Sequence, residues 1–390
     1  MAAKTGLLDR ARKLAPRVVE IRRQLHRQPE LGFQEYATSG LIAGTLASLG
    51  ASVRKGIAGT GVIGTLGQGG PVIALRADMD ALPIHERTSL PYASVVPGVM
   101  HACGHDGHVA ALLGAAMLLA QEELPGQVRL LFQPAEETVD VDGKSGAQRM
   151  LEEGALEGVS AVSASHLVVD VPVGTVLVSE GPVLASTDGF ELVITGVACH
   201  GAYPHKGIDA IVLAAQVVNA IQSIVARRID PMEAGVITVG TISGGRKANI
   251  LADRVQLTGT IRSFDAAVRR RILDGLQEAC GLARAQGGDY VLHMLAGHPA
   301  TVNDPGMVQV VQAAARALGL RCGPERPSPV SEDFALFAQR VPGAYYLIGA
   351  ALEGEPPRQA HSSRFDLNEA ALPIAAAMHA AVALEYLQGG

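Results

Sequence analysis

The sequence predicts an α/β fold interrupted by an inserted α+β domain, and three observations point that way. The chain has 390 residues, beyond the roughly 250–300 at which one hydrophobic core stops growing, so two domains are expected. Segments with helical periodicity alternate with short apolar or β-branched runs set between Gly-rich turns, as in an α/β sheet protein. Between residues 188 and 296 the order changes to β-α-β-β-α-β, the split βαβ or ferredoxin-like unit, which is self-contained at that size. The expected division is 1–186 and 297–390 as one domain, with 187–296 inserted.

Residues 7–27 carry apolar side chains at helical spacing and end at Pro29, whose ring stops a helix. A second helix is expected over 35–49, closed by Gly50. Val53, 62–66 and 72–75 then read as consecutive strands separated by Gly-rich turns. The third strand runs into Arg76-Ala77-Asp78-Met79-Asp80, placing two acids at the carboxyl end of a buried strand, where open α/β sheets bind ligands.

Met100-His101-Ala102-Cys103-Gly104-His105-Asp106-Gly107-His108 reads as a loop feeding a buried helix over 109–119. Cys103 and His105 lie two apart, close enough to reach one metal ion or two adjacent ones. A His-rich turn capping the helix, with Asp106 as the cap, is the alternative. The strand 127–132 leads to Gln133-Pro134-Ala135-Glu136-Glu137. Neighbouring side chains on extended backbone face opposite ways, so the two glutamates can take separate roles in one site; a solvated pair is the alternative. A helix near 145–153 precedes a strand over 161–164 that ends near His166. Three strands therefore end in metal-competent residues.

In the insert, strands are expected over 190–195, 236–242, 254–261 and 290–295, with helices over 207–228 and 265–286. Helices near 304–318, 331–339 and 368–386 and a strand over 344–348 follow, with His361 between the last two elements.

Hydrophobic residues make up 48% and charged residues 18%, which excludes a disordered chain. Acids and bases are interspersed around a net charge of −6, so there is no basic face for nucleic acid or an anionic membrane, and the expected partner is a small molecule. No run reaches about 18 consecutive apolar residues, and the first residues lack the pattern of a signal peptide. Four dispersed cysteines, at 103, 199, 280 and 322, make a poor disulfide framework, and a cytoplasmic location is expected.

Six stretches carry a family resemblance: Arg22 to Phe33, Arg76 to Pro83, Met100 to His108, Gln133 to Glu137, His200-Gly201-Ala202-Tyr203-Pro204-His205-Lys206-Gly207-Ile208-Asp209, and Ser331-Glu332-Asp333-Phe334. In that order, over about residues 15 to 385, the chain resembles the zinc aminoacylase/carboxypeptidase family of two-domain metallohydrolases. Within it, the hippurate hydrolase and auxin-conjugate hydrolase branch of N-acyl-amino-acid amidohydrolases is the nearer likeness. The resemblance implies a mixed-sheet α/β metallohydrolase domain with an inserted ferredoxin-like lid. It implies two divalent metal ions, zinc first, with manganese, cobalt or nickel admitted by such ligands.

By motif position the ligands would be Cys103, His105, Glu137, His166 and His361, with Cys103 bridging where the wider family has an aspartate. Glu136 would be the general base. Asp78 would be an acid that orients a ligand; Arg76 replaces the histidine usual two residues before it, which leaves the partner of Asp78 open. His200 would be the lid histidine that stabilises the oxyanion, and Asn249 and Arg262 would hold the substrate carboxylate. An edge-strand salt bridge is the alternative for Arg262. His101 and His108 are expected to be structural or supporting, and His205 a loop histidine. The implied substrate is an N-acyl amino acid, the implied assembly a homodimer or higher oligomer through the lid. A carboxypeptidase or dipeptidase acting on dipeptides or aryl-glutamate amides is the second expectation, and a catalytically silent ligand-binding relative the third. Ile250-Leu251-Ala252-Asp253 after Asn249 and Ser362-Ser363-Arg364 after His361 lack the family's usual prolines, which leaves the acyl preference open.

Overall fold

Residues 6–389 are described by the structure, a computed structural model. In chain order the elements are α1 (Leu7–Arg27), α2 (Tyr36–Ser48), β1 (Ser52–Ile57), β2 (Gly61–Gly67), β3 (Val72–Asp78), α3 (His105–Leu119), β4 (Gln127–Gln133), α4 (Gly146–Glu152), β5 (Ala161–Val168), β6 (Thr175–Leu177), β7 (Gly181–Leu184), β8 (Ser186–Thr195), α5 (Ala210–Arg228), β9 (Gly235–Gly244), β10 (Arg254–Ser263), α6 (Ala266–Ala285), β11 (Asp289–Ala296), β12 (Thr301–Asn303), α7 (Pro305–Ala317), β13 (Arg321–Gly323), α8 (Phe334–Ala338), β14 (Gly343–Gly349) and α9 (Ala371–Gly389).

These elements divide into two units. The first runs to Gly181 and resumes over Val302–Arg326 and from Asp333; the second holds Pro182–Thr301 and Pro327–Glu332. Where an insert over 187–296 was expected, the second unit opens earlier, closes later and takes in a distant hexapeptide. The reason is backbone pairing: Ala185 N donates to the carbonyls of Ser328 (3.1 Å) and Val330 (2.9 Å), and Ser328 N to that of Val183 (2.9 Å).

Among the described residues of the first unit, eight strands form one mixed sheet in the order β1-β2-β4-β3-β5-β14-β6-β13. The central four, β4, β3, β5 and β14, are parallel. Every residue of β3 is buried, which is why this strand reads as a continuous apolar run rather than an alternating one. Parallel strands end together, so Asp78, Gln133 and the end of β5 share one edge, with Asp78 in register with Gln133.

The helices α3 and α9 pack together and against this sheet, with α1 and α7 against α9, while α4 and α8 pack together and against β4, β5 and β14. Both α3 and α9 are apolar almost all round and buried almost all round, as such helices must be. Small residues let them approach closely: a Cβ on Gly114 would lie 2.9 Å from both Ala376 Cβ and a Val18 methyl.

The second unit has an antiparallel sheet in the order β11-β8-β10-β9, with α5 and α6 packed together and against it. This is the expected ferredoxin-like arrangement. Ala210, Leu213, Ala214, Val217, Ile221 and Ile224 form the buried stripe of α5, so that helix, long and apolar enough by composition to cross a membrane, spends its apolar face on the unit's core. Asp209 and Asp265 cap α5 and α6 by accepting from their first free N–H groups.

Two expectations about elements change. Helix α3 begins at His105, not near residue 109, because Gly104 enters the left-handed region (φ 89°) and acts as N-cap. His166 lies inside β5 rather than beyond its end.

Candidate active site

The carboxyl edge of the parallel strands gathers the chemistry. His105 and His108 sit on the first turn of α3, Asp78 ends β3, Glu136 and Glu137 follow β4, and His166 lies in β5. His361 reaches the same place from the loop after β14, where its backbone N–H donates to Ala102 O at 2.7 Å. Two non-glycine residues here hold positive φ, Ala135 at 46° and His361 at 61°. Such strain persists only where surrounding contacts determine it, and it concentrates at functional sites.

Donor atoms of Cys103, Glu137 and His361 lie within 4.8 Å of one another, as do those of His105, Glu136 and Glu137. Glu137 belongs to both groups. His361 Nε2 stands 2.8 Å from Glu137 Oε1, yet that oxygen is buried without hydrogen-bond alignment to any partner, and so is His166 Nδ1. The His166 ring centroid is 6.5 Å from that of His105 and 4.6 Å from that of His108. Buried lone pairs that converge without satisfying one another are costly unless a cation takes them. A thiol, imidazoles and carboxylates form a donor set that fits divalent metal ions.

Supporting groups fix these donors. His105 Nδ1 lies 3.0 Å from the carbonyl oxygen of Asp80 and 3.2 Å from its Oδ1, while Asp80 Oδ2 accepts the Glu137 backbone N–H at 3.0 Å. With Nδ1 so engaged, Nε2 is the ring nitrogen left for a cation. Asp78 accepts from His108 Nδ1 at 2.6 Å and from Arg76 Nη1 at 2.6 Å, so Arg76 and His108 are its partners. Arg76 also donates to Gln133 Oε1 (2.8 Å) and Asp333 Oδ1 (2.9 Å), and Gln133 Nε2 donates to both oxygens of Asp333. His108 Nε2 accepts from Leu167 N at 3.0 Å. Both its nitrogens are thereby used in supporting bonds.

The electrostatics follow from burial and neighbours. Burial pushes the Cys103 thiol up to about 12, against the pull of His105. For His105 burial opposes the charged ring, but Asp78 and Cys103 outweigh it and hold its pKa well above the ordinary value. Burial likewise opposes the Asp78 carboxylate, yet His105, His108 and Arg76 hold it well below the usual range. His101 is buried with neither ring nitrogen partnered, and burial lowers it to about 4, so its ring is neutral.

Two groups have roles that the sequence reading did not assign. Asp80 was visible as the second of two acids after β3, but only Asp78 was given a task. Asp106 does not cap α3: its Oδ2 accepts from Arg22 Nε (3.1 Å) and His26 Nδ1 (2.8 Å). The signal was available in α1, where Arg22 and His26, four apart, occupy the buried face beside Ile21 and Leu25.

In the second unit, His200 and Asn249 are neighbours. His200 bridges Ile250, Gly201 N donates to Asn249 O at 2.8 Å, and Leu251 N donates to Cys199 O at 2.9 Å. His200 Nδ1 accepts from Ala202 N at 3.0 Å, so the exposed ring carries its proton on Nε2, where it can donate. Arg262 lies on β10, an interior strand, and donates to Thr187 Oγ1 and Ile261 O. It does not form the edge-strand salt bridge considered as its alternative; the nearby Asp188 is held by Arg269 through two bonds of 2.7 and 2.6 Å.

A sheet edge of convergent metal donors with an adjoining carboxylate defines a metallohydrolase-type site. Residues 74–385 match the family model described as peptidase family M20/M25/M40, and the chain belongs to that family. Thermostable carboxypeptidase 1 of Saccharolobus solfataricus is 39% identical over 97% of this chain and 98% of its own length. N-acetyl-L-cysteine deacetylase of Bacillus subtilis is 40% identical over 92% of this chain and 85% of its own. The crystal structure of a Bacillus subtilis protein, described as a dinuclear metal binding peptidase from the M20 family, superposes with a TM-score of 0.84 at 36% identity, covering 97% of this chain and 99% of that one. The chain is a hydrolase acting on amide bonds.

Proposed function

We propose that this protein is a metal-dependent amidohydrolase that splits N-acyl amino acids, of the N-acetyl or N-benzoyl type, into a carboxylate and a free amino acid. The observation that carries the reading is the Glu136–Glu137 pair: Glu137 shares a donor group with Cys103 and His361, and Glu136 stands in the adjoining group with His105. Cys103, His105, Glu137, His166 and His361 would hold two divalent ions, zinc first, with manganese, cobalt or nickel suited to the same ligands. When bound, the ions supply Lewis acidity toward the amide carbonyl and lower the pKa of water.

Glu136 takes the proton of the attacking water and delivers it to the leaving amine nitrogen. Asp78, through His108 and Arg76, and Asp80, through His105, keep the donors oriented. His200 is assigned to the developing oxyanion, and Asn249 and Arg262 to the substrate carboxylate. In this reading the first unit is the catalytic domain and the second the lid, through which two copies associate. The partner is a small molecule, neither nucleic acid nor membrane, and the location is cytoplasmic.

The deacetylase relative favours N-acyl amino acids. The carboxypeptidase relative supports a second reading, hydrolysis of dipeptides or aryl-glutamate amides by the same residues. The experiment is amino-acid release from N-acetyl, N-benzoyl and long-chain N-acyl amino acids, with dipeptides alongside, before and after chelation. Release that chelators stop, and that falls by about 10²–10⁴ in Glu136→Ala, supports the reading; the ranking of substrates separates the two. A metal-loaded protein that turns over nothing on the panel overturns both and leaves a ligand-binding role.

A further inference from the structure

The buried carboxylate of Glu35 touches the loop that carries Glu136 but belongs to neither donor group. Glu35 immediately precedes α2, and its side chain turns inward and is wholly buried. Its Oε1 accepts the Ala135 backbone N–H at 2.9 Å, and its Oε2 accepts the Thr60 hydroxyl at 2.5 Å. Helix capping does not explain this. The first N–H groups of α2 are taken by Glu30, whose oxygens accept from Ala37 N (2.9 Å) and Thr38 N (2.8 Å), and Glu35 makes no side-chain cap bond.

What Glu35 holds is the residue before the base, in a conformation an L-residue resists. Ala135 has φ 46°, in the left-handed region where its Cβ crowds the backbone. The carbonyl of the same residue accepts from Gly146 N at 3.0 Å. Two glycines bring the supporting segments close: a Cβ on Gly32 would lie 2.5 Å from a Thr138 methyl and 3.0 Å from Ala135 Cβ, and one on Gly61 would lie 3.0 Å from Pro134 Cδ. The dihedrals of Ala135 set the direction in which the next side chain leaves the backbone, and a relaxed Ala135 would re-aim Glu136.

Resting on the reading of Glu136 as general base, we propose that Glu35 is a positioning residue for it, acting by holding Ala135 in its left-handed conformation. The carboxylate contacts no substrate and no metal donor in this role. It supplies a buried acceptor at one point of the loop backbone, and geometry at the base depends on that point.

The test uses the full-length, metal-loaded chain and four variants: Glu35→Ala, Glu35→Asp, Glu35→Gln, and Glu35→Ala combined with Ala135→Gly. For each, kcat, KM, metal per chain and Tm are measured. Loss of the acceptor (Ala) or of its reach (Asp) is expected to lower kcat by about tenfold or more, with KM within about twofold and metal content unchanged. The Gln variant keeps an acceptor for Ala135 and a donor for Thr60 and is expected to stay within about threefold of the wild-type kcat. Glycine adopts positive φ without strain, so Ala135→Gly is expected to restore part of the kcat lost in Glu35→Ala.

Unchanged kcat in both Glu35→Ala and Glu35→Asp overturns the proposal. So does a loss that follows metal content or folded fraction, or a double variant no faster than Glu35→Ala. Should Glu35→Ala not fold, the contrast between Asp and Gln decides alone. Wild type and Glu136→Ala are run in parallel. If the wild type is inactive, or Glu136→Ala as fast as wild type, the parent reading fails, and this role fails with it in a recognisably different pattern.

Discussion

Asp80 grips His105 twice, with its main-chain carbonyl 3.0 Å and its Oδ1 3.2 Å from the same ring nitrogen, and with its other carboxylate oxygen it also holds the backbone of Glu137. One acid thus sets the orientation of two candidate donors, one on the first turn of α3 and one just after β4. Replacing it by alanine should leave the ligands in place but free to turn. Asp80→Ala is expected to weaken metal affinity by about 10–100-fold, measured by competition with a chromophoric chelator. An affinity equal to wild type would show that His105 is held by packing alone.

His26 makes the fold sensitive to alkaline pH. Burial disfavours its charged form, but Asp106 and Glu86 outweigh burial and raise its pKa from 6.5 to about 9. A group raised in the folded state contributes fully below its unfolded pKa and loses that contribution as pH climbs through the folded value. The stability advantage of wild type over His26→Gln should therefore be largest below about pH 6.5 and shrink by pH 9, by up to about 3 kcal/mol. Glu35 and Glu325, raised by burial to about 7 and about 8, also lose stability as pH rises, so the difference between the two proteins isolates His26. Denaturant titrations at pH 6 and pH 9 that give the same difference would contradict the assignment.

Metal uptake should release protons. In the metal-free protein burial holds the Cys103 thiol at about 12, whereas ligation requires the thiolate. His361, raised by its pairing with Glu137, must also give up any proton to become a ligand. Calorimetric titration with zinc in buffers of different ionisation enthalpy is expected to show proton release near pH 7 and affinity that rises with pH. Cys103→Ala should release about one proton fewer; an identical count would remove the thiol from the coordination set.

Local chemistry made part of this protein legible before its structure. The parallel strands were visible because burial on both faces makes them continuously apolar. Cys103, His105, Glu136 and Glu137 stood out as dense donor clusters beside strands, whereas His361, alone in its loop, was marked by the family resemblance. The three-residue strands β6, β12 and β13 were missed, since segments so short are specified by their partners and not by their own pattern. The polar cluster beneath α3 was missed for a related reason. Arg22 finds Asp106, Asp366 and Glu369 at separations of 84, 344 and 347 residues, and no local window contains such a set. A cap, offered only as the alternative for Asp106, was the one task that its immediate neighbours suggested.

Gly114 has a consequence that reaches beyond packing. A side chain there would meet Ala376 and Val18 at once, and α3 would have to slide or tilt away from both neighbours. The helix is a stiff rod, and His105 rides on its first turn nine residues from that contact, roughly 13 Å along the axis. A methyl group at position 114 would act as a wedge under a lever, felt as a misplaced imidazole at the far tip. Damage in the dry interior would then surface as a cation-affinity defect, and an assay of bound metal would register it before an unfolding curve did.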